Sequence, residues 1–156
     1  KNLSIRDNII LPGFKAYTLS REQVNQNADA LMVKTGISGV ANHDINKVSG
    51  GQLQRAAICR ALINKPDVLF GDEPTGALNS STTKEIMDII NNINTEGTTV
   101  IIVTHDAKVA SRASRVIFLM DGNIHDELAL GEYSEDEKEK SSREKRLSEW
   151  LDKQGF

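Results

Sequence analysis

The sequence has a single cysteine, Cys59, nothing near Lys1 that resembles a charged-then-apolar secretory signal, and no apolar run long enough to cross a bilayer. One thiol excludes an internal disulfide framework and fits a reducing compartment. The longest apolar stretches, such as Thr99–Val103, fall far short of the roughly 20 residues that a membrane helix needs. Excess positive charge is also missing. With 19 basic and 22 acidic side chains the net charge is -3, which excludes attachment to nucleic acid through a global basic field. Aromatic residues make up only 4%. What remains suffices for a core: 156 residues allow one domain, and 38% hydrophobic residues plus 11 glycines approach the ordinary globular share. The chain is expected to be soluble yet able to sit on a membrane partner. It starts on Lys1, already inside a helix-like segment, and so reads as a piece of something longer.

Hydrophobic periodicity divides the chain. Residues 1–64 read as helical, with Ser4 and Asp7 at capping-box spacing and Ser20-x-x-Gln23 a full capping box. Val24, Ala28, Leu31 and Met32 then share a face until Gly36. A loop rich in Gly, Asn and Asp covers 36–47, and the next helix opens on Ser49-Gly50-Gly51-Gln52 with Leu53, Ala57 and Ala61 at steps of four. After Pro66 the period changes. Residues 68–70 and 98–103 are short continuous apolar runs that suit strands buried on both faces of a parallel sheet. Between them Ile86, Ile89, Ile90 and Ile93 form a helical stripe closed by Gly97. A short helix after Asp106, a strand over 116–120 and the turn dipeptide Asp121-Gly122 complete a strand–helix alternation typical of an α/β sheet. Residues 132–146 hold eleven charged side chains of mixed sign, and Leu147, Trp150 and Leu151 follow at helical spacing. This reads as a solvated helix or linker whose apolar end docks either on its own domain or on something else.

Two groups of residues carry chemistry. The strand Val68-Leu69-Phe70 delivers adjacent carboxylates, Asp72 and Glu73, at its C-terminal end, where ligands gather in open α/β sheets. Two acids in that place suit a nucleotide-bound Mg²⁺ and a water to be oriented. Ser49-Gly50-Gly51-Gln52 opens a helix with two residues that lack side chains. Its amides are bared at the positive end of the helix dipole, which suits an anion, and Ser49 can add a hydroxyl.

These two groups, followed by Gly76-Ala77-Leu78-Asn79 and by His105 after a second strand, closely resemble the ATP-binding cassette (ABC) ATPase family over about residues 1–127. The family's signature motif, Walker B, D-loop and H-loop occur in this order. The resemblance implies an α/β fold: the C-terminal part of a P-loop NTPase, with a helical subdomain at 1–64, a partial parallel-sheet core at 65–131 and a charged helical extension at 132–156. It implies that Ser49, Gly50, Gly51 and Gln52 contact the γ-phosphate of ATP held by a second ATPase subunit of a homodimer. By the same resemblance, Asp72 binds Mg²⁺ through water and Glu73 is the general base or water-orienting carboxylate. His105 would be the switch histidine on the γ-phosphate, and Asn79 would lie in the D-loop facing the partner. His43 and His125 match no motif.

The sequence departs from the family pattern in three places. Val48 precedes the signature where Leu is usual, and Asn79 stands where the D-loop commonly ends in Asp. More importantly, no Gly-x-x-x-x-Gly-Lys-Ser/Thr is present; the nearest spacing, Gly71 to Gly76, continues with Ala77-Leu78. The family's Q-loop glutamine is expected upstream of Leu3. Without the P-loop the chain alone should bind ATP very weakly and lack ATPase activity. Pro74-Thr75-Gly76-Ala77-Leu78-Asn79 resembles the cassettes serving antimicrobial-peptide, macrolide and lipoprotein-release systems, and 146–156 is similar to the C-terminus of the bacitracin and lantibiotic resistance type. That implies an integral-membrane permease partner, engaged through the helical region near 1–48, no nucleic acid, and a peripheral place on the cytoplasmic face of the bacterial plasma membrane. The competing readings are a cassette ATPase of DNA maintenance or translation, and an α/β interaction module with a decayed site.

Overall fold

In the computed structural model, which describes residues 3–16 and 19–155, the early helices start where serines close capping boxes. Lys1, Asn2, Tyr17, Thr18 and the tail's last residue, Phe156, lie outside the described residues. Before α1 (Ile5–Ala16) the Ser4 amide donates to Asp7 Oδ2 at 3.0 Å and the Asp7 amide to Ser4 Oγ at 3.1 Å. Asp thus does the work that Glu or Gln usually does. Full boxes, Ser20 with Gln23 and Ser49 with Gln52, start α2 (Arg21–Lys34) and α3 (Gly50–Leu62). The 36–47 loop is more ordered than its composition suggests, since two 3₁₀ turns, Ser38–Val40 and Ile45–Lys47, occupy it. Its carbonyls at Ala41 and His43 accept from the Arg6 and Ile5 amides, two of the four donors that a helix start leaves unpaired.

The described residues form two units, the first ending at Ile101 and the second starting at Ile102. The first unit's core joins Ile5 and Ile9 of α1, Val24, Ala28 and Met32 of α2, Ile37, and Ala56, Cys59 and Ile63 of and just after α3. The α2 face matches the sequence stripe, with Leu31 only half-buried. On α3 the buried face is not the one marked by Leu53, Ala57 and Ala61, all of which are exposed. The positions at Ala56, Cys59 and Ile63 offer more apolar volume and turn inward instead. Gly13 lets α1 approach α2 closely, because a Cβ there would stand 2.7 Å from Val24 Cγ1.

β1 (Val68–Asp72), α4 (Ser80–Thr95) and β2 (Thr99–Val103) follow. The strands are neighbours in a two-stranded sheet. The Thr99 amide, at the start of β2, donates to Asp67 O beside the start of β1 at 2.9 Å, so the two strands run in the same direction. Ile86, Met87, Ile90 and Ile93 form the buried side of α4. The strands, however, are not buried on both faces as their apolar runs suggest. Phe70 is 73% exposed and Val103 56%. A sheet of two strands has too few neighbours to cover both sides.

In the second unit, α5 (Ala107–Ala110) is a single turn. β3 (Arg115–Met120) does not extend the β1–β2 sheet among the described residues; it pairs antiparallel with β4 (Asn123–Ala129). Asp121 and Gly122, at φ 51° and 78°, fold the chain back in two residues, the geometry of a primed hairpin turn. α6 (Glu137–Gln154) packs on this hairpin, which settles the docking of the tail's apolar end. Leu147 is fully buried, Trp150 meets Phe118 edge-on at 6.1 Å, and its indole N–H donates to Asp126 Oδ2 at 2.9 Å.

Candidate functional site

The start of α3 is built by its capping box. Ser49 Oγ accepts from the Gln52 amide at 3.2 Å, and Gln52 Oε1 accepts from the Ser49 amide at 3.0 Å. The Ser49 hydroxyl therefore keeps its proton to donate. The Gly50 and Gly51 amides, first in the helix, have no acceptor within it. The two glycines also admit close neighbours. A Cβ on Gly51 would stand 2.6 Å from Thr82 Cγ2, and one on Gly50 would stand 3.4 Å from Leu78 Cδ2. The helix start is thereby pressed against the turn that leads into α4.

That turn has its own cap. Asn79 Oδ1 accepts from the Thr82 amide at 2.9 Å and starts α4. Asn and Asp cap helices equally well, so the exchange from the family's Asp leaves this helix start intact. Between the two helix starts lies a cleft of about 390 Å³. Ser49, Gly50, Gly51, Gln52 and Asn79 all line it, together with Ala77 and Leu78. Five of the eight residues singled out in the sequence thus meet at one place.

The other three do not line it. Asp72 ends β1 and is exposed. Glu73 follows at φ 44°, a left-handed conformation rarely adopted by a residue with a side chain. The turn around it is firm: Pro74 and Thr75 are buried, Glu73 O accepts from the Gly76 amide at 3.2 Å, and Thr75 O from the Leu78 amide at 3.0 Å. One short turn therefore links the carboxylate pair to the cleft residues Ala77 to Asn79. His105 belongs to the second unit and is exposed, directly before Asp106, the N-cap of α5.

The sequence reading missed Arg55 and Glu85, which pair across the cleft wall, and Thr82, Gly36 and Ile37. Arg55 also donates to Thr35 O at 2.8 Å. It lies three residues after Gln52 and so shares the helix side that opens on the cleft, a spacing legible in the sequence. Glu85 carried no such signal.

The first helix turn, with its amides and a hydroxyl, suits a phosphate, and the carboxylate in the cleft lining, Glu85, is paired with Arg55. For a divalent ion the protein offers less. No group of three or more His, Cys, Asp or Glu that could hold a metal ion occurs among the described residues. Asp72 with Glu73 is a donor set that suits Mg²⁺, which keeps its waters and takes further ligands from phosphates, and does not suit an ion caged by protein alone.

Known proteins resemble the chain in sequence and in fold. The family model described as "ABC transporter" matches residues 1–76. The macrolide export ATP-binding/permease protein MacB of Rhodopseudomonas palustris is 47% identical over 122 residues, which span 78% of this chain and 18% of that protein. MacB of Escherichia coli is 44% identical over 123 residues, 79% of this chain and 19% of its own length. The chain therefore spans about a fifth of these curated relatives. Among solved structures, the dimeric structure of MJ0796, a bacterial ABC transporter cassette, aligns with a TM-score of 0.72 at 38% identity, over 84% of this chain and 58% of that one. The post-hydrolysis dimer of the same cassette, bound to ADP and Pi, gives 0.73 at 38% identity over the same shares. That model is matched across the helical region and first strand, and solved cassettes align over 84% of the chain, so its sequence and fold are those of an ABC ATPase cassette over 58% of that cassette's length.

Proposed function

We propose that the chain is part of an ATP-hydrolysing subunit that drives a membrane permease. The observation that carries this reading is the cleft, which gathers the glycine-led start of α3 and the Asn79 turn on one surface. Such a surface is suited to the phosphates of a nucleotide held by a second subunit, and dimeric solved cassettes at 38% identity support that partner. In this reading Ser49 donates its hydroxyl proton, and the Gly50 and Gly51 amides their N–H groups, to the γ-phosphate. Gln52 holds Ser49 in place through the capping box. Asp72 would hold Mg²⁺, and the ion would neutralise phosphate charge. Glu73 orients a water, or takes its proton, for attack on phosphorus. His105 donates a hydrogen bond to the γ-phosphate, and Asn79 faces the partner subunit.

The MacB relatives are export ATP-binding/permease proteins by name, which supports a permease partner and an export task. The finer reading is antimicrobial-peptide export or resistance at the cytoplasmic face of a bacterial plasma membrane, with the ATPase bound peripherally. No described helix is long and apolar enough to cross a membrane. These 156 residues contain no P-loop sequence, so by themselves they lack most of the donors that hold triphosphate.

The test joins the chain behind the P-loop-bearing segment of a related cassette. The fusion hydrolyses ATP, Glu73→Gln lowers kcat by about 100-fold or more, and the 156-residue chain alone shows no turnover. A fusion that binds ATP at its P-loop and hydrolyses it equally well with Glu73→Gln would overturn the assignment of Glu73.

A further inference from the structure

The charged stretch at 132–146 looks like solvated surface, yet Arg143 within it is only 6% exposed. Five backbone carbonyls accept from its guanidinium. Nε donates to Ser111 O at 3.0 Å and Nη2 to Ala113 O at 2.8 Å. Nη1 is shared among Leu130 O, Gly131 O and Glu132 O at 3.0, 3.1 and 2.9 Å. The face of Tyr133 lies 5.7 Å from its carbon centre. A planar fork with five N–H groups can gather carbonyls from two chain segments at once, which a lysine cannot.

One of those segments is the far end of α5. Ser111 is its C-cap, and Ala113 follows in the next turn. The near end is pinned too: Asp106 Oδ1 accepts from the Lys108 amide at 2.8 Å, and the Asp106 amide donates to Thr104 Oγ1 at 3.0 Å. His105 sits between Thr104 and Asp106, so this last hydrogen bond brackets it. A one-turn helix has almost no internal stability and takes its position from what holds its ends. Those holders are the Asp106 cap, the buried Val109, and Arg143.

We propose that Arg143 is a positioning residue for His105. The C-terminal helix, through one buried guanidinium, sets where the histidine turn stands and how far it can move. The proposal rests on the reading of His105 given above for its link to catalysis, and on geometry alone for its link to Arg143.

Two experiments separate these. In the 156-residue chain, imidazole and amide NMR signals are compared for the native sequence, Arg143→Lys and Leu147→Ala. Leu147→Ala loosens α6 without touching the carbonyls of α5. Arg143→Lys is expected to shift the His105 ring signals and raise amide exchange at Lys108 to Ser111 by about tenfold, leaving α1 to α3 unchanged. Leu147→Ala is expected to leave the His105 signals in place at an equal loss of Tm. Unmoved His105 signals with Arg143→Lys, or equal movement with Leu147→Ala, would overturn the proposal. Should Arg143→Lys not fold, Arg143→Gln replaces it; if neither folds while Leu147→Ala does, Arg143 is a folding residue and the proposal fails. In the fusion that supplies a P-loop, Arg143→Lys is expected to lower kcat by about tenfold with KM for ATP within about twofold. If His105→Ala leaves that kcat unchanged, the role of His105 is wrong, while the NMR result for Arg143 stands or falls by itself.

Discussion

At the scale of single residues, pH reads the fold from both sides. The Ser4 hydroxyl bonded to Asp7, and the Arg6 guanidinium bonded to Asp29, hold both carboxyls below their ordinary value of 3.8. A depressed carboxyl stabilises the fold above its unfolded pKa and loses that contribution as pH falls through the lower folded one. Cys59 behaves in the opposite sense. Burial raises its thiol above the ordinary 9.0, against a smaller lowering by the Thr35 hydroxyl 3.1 Å away. Its stabilisation is complete below about 9.0 and drains as pH rises towards the folded value. Denaturant midpoints are therefore expected to drop below about pH 4 and above about pH 9, with Cys59→Ala flattening the alkaline limb and Asp7→Asn weakening the acid one. An alkaline limb unchanged in Cys59→Ala would refute the assignment. The capping serines, Asp72, Glu73 and the glycines of α3 were legible because each needs only local chemistry. Arg143 was not: a charge in a charged run looks solvated until the chain that buries it is in place. Neither was the left-handed backbone of Glu73, which nothing in its side chain announces.

Among the elements, the contact between α3 and the start of α4 is the most exacting. Gly51→Ala would drive a methyl group into Thr82 Cγ2. It is expected to destabilise the chain by about 1–3 kcal/mol, with Thr82→Ser recovering part of the loss by removing the opposing methyl. Thermal unfolding of the single and double variants measures both. Helix starts and the α2 and α4 stripes were readable from periodicity, since each depends on side chains within a few residues. The inward face of α3 was not, because two stripes of small and apolar residues competed and tertiary packing chose the bulkier. The hairpin of β3 was legible in two parts. Strand alternation told its existence, while the turn at Asp121 and Gly122 decided that it pairs with β4.

For the molecule as a whole, apolar strand surface is left in water. Phe70 and Val103 on the first sheet, and Leu119 paired with Ile124 on the hairpin at 60% and 66% exposure, form faces of a kind that monomeric proteins usually cover. The 156-residue chain is expected to self-associate with rising concentration, and Phe70→Ser combined with Ile124→Ser to reduce it, as sedimentation velocity would record. Sedimentation as a monomer at all concentrations would contradict this. Which side chains stay exposed was hidden from sequence reading, because an apolar run tells that a strand wants cover and not where the chain fails to provide it. The bend at Glu73 has a further consequence. A side chain there works against its own backbone by about 1 kcal/mol or more, whereas glycine or asparagine would rest in that conformation. Selection for heat tolerance alone would drift towards those two residues, and under the role proposed for Glu73 a hardier chain obtained in that way would lose turnover.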